Sequence, residues 1–201
     1  PVFLLIARLL KDKGLLEYVE AARRLRALFP EARVQLLGPL DPNPAAISRE
    51  QLDQWIAEGS IEYLGETRDV RPYIANATVY VLPSYREGLP RTVLEAMATG
   101  RAIITTDAPG CREPVTGGDN GLLVPVRDPV ALADAMQRFV ENPALAGTMG
   151  ARSREIAEQT YDVAKVNALL LDAMALNDAP AAAQNAVVPG TSGIRRLVDI
   201  A

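Results

Sequence analysis

The sequence contains no histidine and only one cysteine, Cys111. Histidine is the commonest general base and a frequent metal ligand, so its absence excludes a Ser-His-Asp triad, a Cys-His pair and a histidine-based zinc hydrolase within this chain. A single cysteine cannot form an intrachain disulfide, which suits a reducing compartment. We therefore expect a cytoplasmic protein.

Aromatic residues and positive charge are also scarce. Aromatics make up 5% of the 201 residues, and 21 Lys and Arg against 25 Asp and Glu give a net charge of −4. Nucleic-acid binding draws on basic surfaces and on aromatic stacking platforms, so we expect no nucleic-acid partner. No apolar run approaches the ~20 residues of a membrane-spanning helix.

Short apolar runs alternate with longer amphipathic segments through the first 176 residues, which predicts alternating strands and helices. Strands are predicted at residues 2–7, 33–37, 61–64, 78–82, 102–106 and 121–124. Because these runs are apolar on both faces, they predict an α/β domain with a Rossmann-like, doubly wound parallel sheet of about six strands. Ligands of such domains bind beyond the carboxyl ends of the strands, near a topological switch point.

The composition changes after residue 176. Residues 177–193 (NDAPAAAQNAVVPGTSG) have no apolar period, which predicts a flexible linker. Residues 194–201 (IRRLVDIA) begin a basic amphipathic stretch, which we interpret either as the start of a truncated further segment or as a disordered tail. Since the chain opens on Pro1 and goes straight into a strand, we expect it to be a piece of a longer polypeptide or a processed product.

Two carboxylates lie in the stretch that leaves the fourth predicted strand, residues 83–100 (PSYREGLPRTVLEAMATG). Glu87 lies in a turn, and Glu95 lies in the helix predicted to begin at Pro90. Unpaired backbone amides at a helix start form a site for an anion or for hydroxyl groups, and carboxylates accept hydrogen bonds from polyols. The structural alternative is that Glu87 caps the helix and Glu95 is a solvated charge.

A second charged stretch, ARLLKDKG, follows the first predicted strand and contains Arg8, Lys11 and Lys13. Arginine and lysine at the carboxyl end of a strand suit a diphosphate, although a solvated basic loop is the alternative. Cations for phosphates and carboxylates for hydroxyls, on neighbouring strand ends, together describe a nucleotide-sugar site.

An ordered series of motifs supports this interpretation. They are the Arg-Leu and Lys-Gly elements of residues 6–14, the strand ending at Gly38, YLG at 63–65, EGLPRTVLEAMATG at 87–100, ITTDAPGCRE at 104–113 and NGLLVPVRD at 120–128. With these motifs, residues 1–176 resemble the C-terminal, donor-binding half of family 4 retaining glycosyltransferases with the GT-B fold. The motif sequences are most similar to those of bacterial enzymes that build surface polysaccharides such as O-antigen, capsule and lipid-linked glycans.

The resemblance implies roles for particular residues. Arg8 and Lys13 match the pair that holds the donor diphosphate and stabilises the leaving group, and Glu87 matches the glutamate that lies against the transferred sugar, so these three are the catalytic candidates. Glu95 matches the glutamate that binds the ribose, while Lys11 matches no phosphate ligand. The remaining candidates are Leu64 and Gly65 beside the base, Gly88, Leu89 and Pro90 in the turn around sugar and phosphate, and Thr92 and Val93 near the phosphates.

The resemblance also implies what lies outside this chain. The acceptor-binding half and any catalytic histidine are expected on its N-terminal side, so the isolated lobe is expected to bind a UDP-sugar but to transfer poorly. Transfer is expected to proceed with retention, without a metal or other cofactor. Residues 194–201 resemble the opening of bacterial phosphoglycosyl transferases, which are membrane enzymes. The resemblance implies a parent protein that fuses a glycosyltransferase to a sugar-phosphate transferase through the linker and associates with the inner face of the cytoplasmic membrane.

Several alternatives stay open on the sequence. A non-catalytic nucleotide-binding or interaction module on a similar sheet is the rival function, although no G-x-G-x-x-G follows the first strand to suggest NAD. Without histidine to activate it, Cys111 is interpreted as structural rather than as a nucleophile. Trp55 is expected to serve packing or an interdomain contact, and Tyr85 either touches the sugar or covers the loop.

Overall fold

The computed structural model describes residues 1–174. The strands are β1 (Val2–Ile6), β2 (Arg33–Leu37), β3 (Glu62–Tyr63), β4 (Val79–Leu82), β5 (Ala102–Thr106) and β6 (Gly121–Val124). The α-helices are α1 (Leu15–Leu28), α2 (Arg49–Ala57), α3 (Arg71–Asn76), α4 (Arg91–Ala98), α5 (Pro129–Glu141), α6 (Pro143–Thr160) and α7 (Val163–Ala173). The segments predicted at 177–193 and 194–201 lie outside the described residues.

The six strands form one parallel sheet in the order β3-β2-β1-β4-β5-β6. The chain builds outward from β1 in one direction and from β4 in the other, so the switch point lies between these two strands. This confirms the predicted doubly wound α/β fold. The loops that follow β1 and β4 border the crevice in which such sheets bind their ligands.

Alternate residues of β1 face opposite sides of the sheet, as the two-residue period of a strand requires. Phe3 and Leu5 belong to one buried apolar cluster, whereas Leu4 and Ile6 belong to the other. Helices cover both faces, which explains why the strands are apolar throughout rather than alternating. Within residues 1–174, no helix is both long and apolar enough to cross a membrane.

The predicted strands agree with the structure to within one residue at each end, and the helix predicted from Pro90 begins at Arg91 with Pro90 as its N-cap. Ser48 caps α2 by accepting a hydrogen bond from the Gln51 amide at 3.2 Å. The third strand is shorter than predicted because β3 is an edge strand that pairs only with β2. A short 3-10 helix at Lys11–Lys13, in the loop after β1, was not indicated by the apolar pattern.

The loops after β1 and β4 are in direct contact. Gly14 has a φ of +70°, and a Cβ added there would lie 2.0 Å from the carbonyl oxygen of Pro83. The Tyr85 amide donates a hydrogen bond to the Asp12 carbonyl at 2.9 Å. The absence of a side chain at Gly14 is therefore what allows the two loops to meet.

We predict that Gly14→Ala destabilises the protein more than Gly59→Ala does. Gly59 has nearly the same φ, +68°, but an added Cβ would meet only an Arg26 side-chain nitrogen at 3.9 Å. Both substitutions carry the left-handed penalty of about 1–2 kcal/mol. Gly14→Ala adds a steric collision, which typically costs a further ~1–3 kcal/mol. Urea unfolding of the two variants measures this difference, and equal free energies of unfolding would contradict the role given to the Gly14 contact.

Candidate functional site

The loops after β1 and β4 are also joined by an ion pair. The Nζ of Lys13 lies 2.8 Å from the Oε1 of Glu87, and each side chain is only 17% exposed. The two residues are 74 positions apart in the chain. The fold therefore brings together, at the switch point, a cation and a carboxylate that the sequence placed on separate strand ends.

Glu87 is fixed by a third loop as well. Its amide donates a hydrogen bond to the Pro109 carbonyl at 3.0 Å, in the loop that follows β5. Gly110, with a φ of +82°, lies so close that an added Cβ would be 1.9 Å from the Glu87 carbonyl oxygen. The Glu87 backbone is thus held against the loop after β5 while its carboxylate pairs with Lys13.

Helix α4 begins next to this ion pair without a side-chain cap. Its N-cap residue is Pro90, which has no side chain able to accept an amide hydrogen. Gly88 and Leu89 are exposed, and neither amide has a hydrogen-bond acceptor within residues 1–174. A helix start with open amides carries partial positive charge, so it can bind an anion or hydroxyl oxygens.

Glu95 lies on α4, one turn beyond its start, with its side chain 14% exposed. Burial raises the pKa of Glu95, and the nearby Arg91 guanidinium, 3.8 Å away, acts in the opposite direction. A carboxylate that is shielded from water in this way can accept hydrogen bonds from a ligand without competing with bulk solvent. Its environment is not that of the solvated surface charge that was the alternative.

The side chains of Thr92 and Val93, the other two candidates on α4, contact the sheet and the core rather than the Lys13–Glu87 ion pair. The Thr92 side chain is hydrogen bonded to the Tyr80 hydroxyl. Val93 is fully buried in the core, so its side chain packs against the sheet and only its backbone could face a ligand. Both residues still lie in the first turn of α4, where the sequence predicted them.

Arg8 takes no part in the Lys13–Glu87 ion pair. Its Nη1 lies 3.0 Å from the Oδ2 of Asp41, in the loop after β2, and its side chain is 64% exposed. Arg8 follows β1 by two residues, so it also lies at the carboxyl edge of the sheet. The sequence predicted Arg8 and Lys13 as a pair, but each has a different carboxylate as its partner.

Leu64 and Gly65 follow β3 at the same edge of the sheet. The Leu64 amide donates to the Leu36 carbonyl at 2.9 Å, and the Gly65 carbonyl accepts from the Gly38 amide at 2.8 Å. The Tyr63 hydroxyl donates to the Gly38 carbonyl at 2.8 Å. These bonds attach the end of β3 to the loop after β2, two strands away from the Lys13–Glu87 ion pair.

Tyr85 has partners that the sequence did not reveal. Its hydroxyl donates to the Oε1 of Glu17 at 2.8 Å, and the Arg127 guanidinium lies 4.6 Å from the centre of its ring. Burial raises the pKa of Tyr85, and the adjacent Glu17 carboxylate raises it further. Tyr85 therefore connects the loop after β4 to α1 and to the loop after β6. Because Glu17 is 68 positions away in the chain, no local pattern could have indicated this contact.

Cys111 and Trp55 are both buried, which supports a structural role for each. Cys111 is fully buried, and burial raises the pKa of its thiol, which opposes formation of the nucleophilic thiolate. Trp55 is 3% exposed and belongs to the apolar core, so it serves packing within this domain rather than an interdomain contact.

Comparison with known families identifies the chain. The family model described as "Glycosyl transferases group 1" matches residues 1–142. The chain belongs to this family. The family assignment agrees with the resemblance found in the sequence, and the match includes the Lys13–Glu87 ion pair, the start of α4 and Glu95.

A curated relative supports the same assignment. The N,N'-diacetylbacillosaminyl-diphospho-undecaprenol alpha-1,3-N-acetylgalactosaminyltransferase of Campylobacter jejuni is 35% identical over 162 residues. That alignment covers 81% of this chain and 41% of the relative. Other relatives include glycosyltransferases of capsule and lipopolysaccharide core biosynthesis. The chain spans about two-fifths of the length of the curated relatives it matches.

Solved structures share the fold. Anabaena Alr3699/HepE, solved in complex with UDP, superposes with a TM-score of 0.79 at 22% identity, covering 87% of this chain and 48% of that one. The C-terminal domain of a glycosyl transferase group 1 family protein (LpcC) from Francisella tularensis gives a TM-score of 0.72 at 24% identity. That match covers 80% of this chain and 86% of the domain. The fold is that of one lobe of a GT-B glycosyltransferase.

We predict that the stability of Glu95→Gln, measured relative to the wild type, increases as the pH rises. The folded state holds the Glu95 proton more tightly than the unfolded chain does, because burial raises the pKa from its ordinary value of 4.5. The wild type therefore loses stability as the pH rises from that ordinary value through the higher folded-state pKa, and the glutamine variant does not. Urea unfolding between about pH 4 and pH 7 measures the difference in free energy of unfolding.

The exposed Glu31 provides the control for this experiment, as Glu31→Gln replaces a carboxylate that lies in solvent. A Glu95→Gln variant whose stability difference from wild type stays constant with pH would contradict the burial assigned to Glu95.

Proposed function

We propose that this chain is the donor-binding lobe of a retaining glycosyltransferase, which transfers a sugar from a UDP-linked donor to a glycan or lipid-linked acceptor in bacterial polysaccharide synthesis. The observation that carries the proposal is the Lys13–Glu87 ion pair beside the uncapped start of α4, at the switch point of the sheet. Family membership supports the glycosyltransferase activity. The rival function, a non-catalytic nucleotide-binding module, would not account for membership of a family of glycosyltransferases.

The site offers complementary groups for each part of a UDP-sugar. The Lys13 ammonium and the open amides of Gly88 and Leu89 suit the diphosphate, since all three are hydrogen-bond donors and the two amides directly follow Glu87, the partner of Lys13. The shielded Glu95 carboxylate suits the ribose hydroxyls, and Gly65 lies where we place the base. UDP is favoured over other nucleotides because HepE, whose lobe has the same fold, was solved in complex with UDP.

Chemistry at this site would depend on charge at the leaving group. When the bond between the sugar and the diphosphate breaks, negative charge develops on UDP. Lys13, the start of α4 and Arg8 would stabilise that charge, without a metal ion or other cofactor. Glu87 would lie against the sugar, and the acceptor oxygen would enter on the face from which UDP departs, which gives retention.

The acceptor would be bound outside this chain. Because the chain spans about two-fifths of its relatives, we place the acceptor-binding half and any catalytic histidine in the rest of the parent protein. A lipid-linked acceptor would require the parent to work at the inner face of the cytoplasmic membrane.

We predict that Lys13→Ala and Glu95→Ala affect nucleotide binding differently. Lys13→Ala should weaken UDP binding about 10- to 100-fold, since it removes a charged hydrogen bond worth ~1.5–3 kcal/mol, and should leave uridine binding unchanged. Glu95→Ala should weaken UDP and uridine alike, because both contain the ribose. Isothermal titration calorimetry of the 201-residue chain measures these affinities.

Lys11→Ala is the matched control, because Lys11 is an exposed lysine on the same 3-10 helix. It should bind UDP as the wild type does. Equal losses from Lys11→Ala and Lys13→Ala would show a general charge effect and would remove Lys13 from the proposed site.

We further predict that the 201-residue chain binds UDP but transfers sugar poorly or not at all. The physical reason is that a reacting acceptor needs a surface to hold it in line with the donor, and positioning supplies much of the rate. The measurement is release of UDP from a UDP-sugar in the presence of a lipid-linked acceptor, by this chain and by its full-length parent. Robust transfer by the chain alone would contradict the placement of the acceptor site.

A further inference from the structure

The Arg8 guanidinium has a fixed neighbour in the loop after β2. The Oδ2 of Asp41 lies 3.0 Å from the Arg8 Nη1. The Asp41 side chain is 11% exposed, whereas the Arg8 side chain is 64% exposed. The carboxylate is therefore the more shielded partner of this ion pair, and the guanidinium extends from it into solvent.

Asp41 is held in place without any help from Arg8. Its Oδ1 accepts a hydrogen bond from the Asn43 amide at 2.9 Å. The Asn43 side chain in turn accepts from the Ala45 amide at 2.8 Å. Two successive turns of this kind restrict the loop locally, so the Asp41 carboxylate has a set direction.

The loop that contains Asp41 is also attached to the loop that contains Arg8. The Leu9 amide donates to the Pro39 carbonyl at 3.0 Å, and the Ile47 amide donates to the Leu9 carbonyl at 2.8 Å. Gly38 lies against the chain just before Arg8, since an added Cβ would be 1.8 Å from the Ala7 carbonyl oxygen. These contacts fix the distance between Asp41 and the backbone of Arg8.

The ion pair itself adds little to folding stability, because its guanidinium lies mostly in solvent and ion pairs at the surface contribute only about 0–1 kcal/mol. A guanidinium presents five hydrogen-bond donors, and Asp41 occupies one of them. The Arg8 guanidinium makes no second hydrogen bond within residues 1–174, so its remaining donors can serve a ligand at the carboxyl edge of the sheet. A long arginine side chain loses much rotamer freedom when a ligand binds it, so a carboxylate that restricts it beforehand lowers that loss.

We propose that Asp41 is a positioning residue that holds the Arg8 guanidinium ready for the diphosphate of the donor. This inference rests on the proposed function, in which Arg8 binds that diphosphate. Asp41 itself does not touch the donor. It acts through Arg8, so its effect is confined to ligands that contain the diphosphate.

The test is calorimetric titration of the 201-residue chain with UDP and with uridine. Asp41→Asn keeps the side-chain size and an oxygen that can accept from the Asn43 amide, but it removes the charge. We expect UDP to bind about three- to five-fold more weakly, a change within the ~1 kcal/mol of an exposed ion pair. Uridine should bind as it does to the wild type, and Asp41→Asn should cause no further loss in an Arg8→Ala background.

Asp53→Asn is the matched control, because Asp53 pairs with Arg49 at 2.9 Å on the surface of α2. It should change neither affinity. Unchanged UDP binding by Asp41→Asn would overturn the inference. Tighter UDP binding would also overturn it, because it would mean that Asp41 competes with the phosphates for Arg8. Equal weakening of uridine would also overturn it, since it would show general damage to the site. Absence of UDP binding by the wild type would instead overturn the proposed function on which the inference rests.

Discussion

The close approach of two loops at the switch point of the sheet is the constraint on which the site depends. Gly14 lies against the carbonyl of Pro83, and no side chain fits between them. This contact places Lys13, one residue earlier, within 2.8 Å of Glu87. Because the loops belong to β1 and β4, the strands at which the sheet changes direction, the ion pair lies at the mouth of the crevice. A larger residue at Gly14 would separate both the loops and the charges.

In the proposed function, the ion pair would also prepare the site for the donor diphosphate. Lys13 and Glu87 are largely shielded from water, so each satisfies the charge of the other in the unliganded protein. The Lys13 ammonium has three donors, and Glu87 takes one. A diphosphate at the start of α4 could therefore share Lys13 with Glu87 without breaking the pair. Such an arrangement would keep the glutamate close to the atom where the sugar leaves the phosphate.

The sequence predicted the elements well because their boundaries are locally determined. Buried strands are apolar on both faces, Ser48 caps α2, and Pro90 is the N-cap residue of α4. The edge strand β3 was overestimated, since the apolar pattern does not show on how many sides a strand is paired. The local pattern also could not predict the order of the strands, because that order depends on pairing between distant segments.

The sequence proposed the candidate site residues one by one, but it did not show their contacts. The motifs placed Lys13 and Glu87 on separate strand ends, and only tertiary packing shows that they meet. The partnership of Arg8 with Asp41 depends on the packing of two loops across the sheet. The same holds for Tyr85, whose partners lie on α1 and on the loop after β6. Long-range contacts of this kind leave no periodic signal in the sequence.

The most direct test of the account is a crystal structure of the 201-residue chain with UDP bound. The account predicts density for the diphosphate between the Lys13 ammonium and the start of α4, with the ribose against Glu95. UDP bound at the amino ends of the strands, or on a helical face away from the Lys13–Glu87 ion pair, would contradict it.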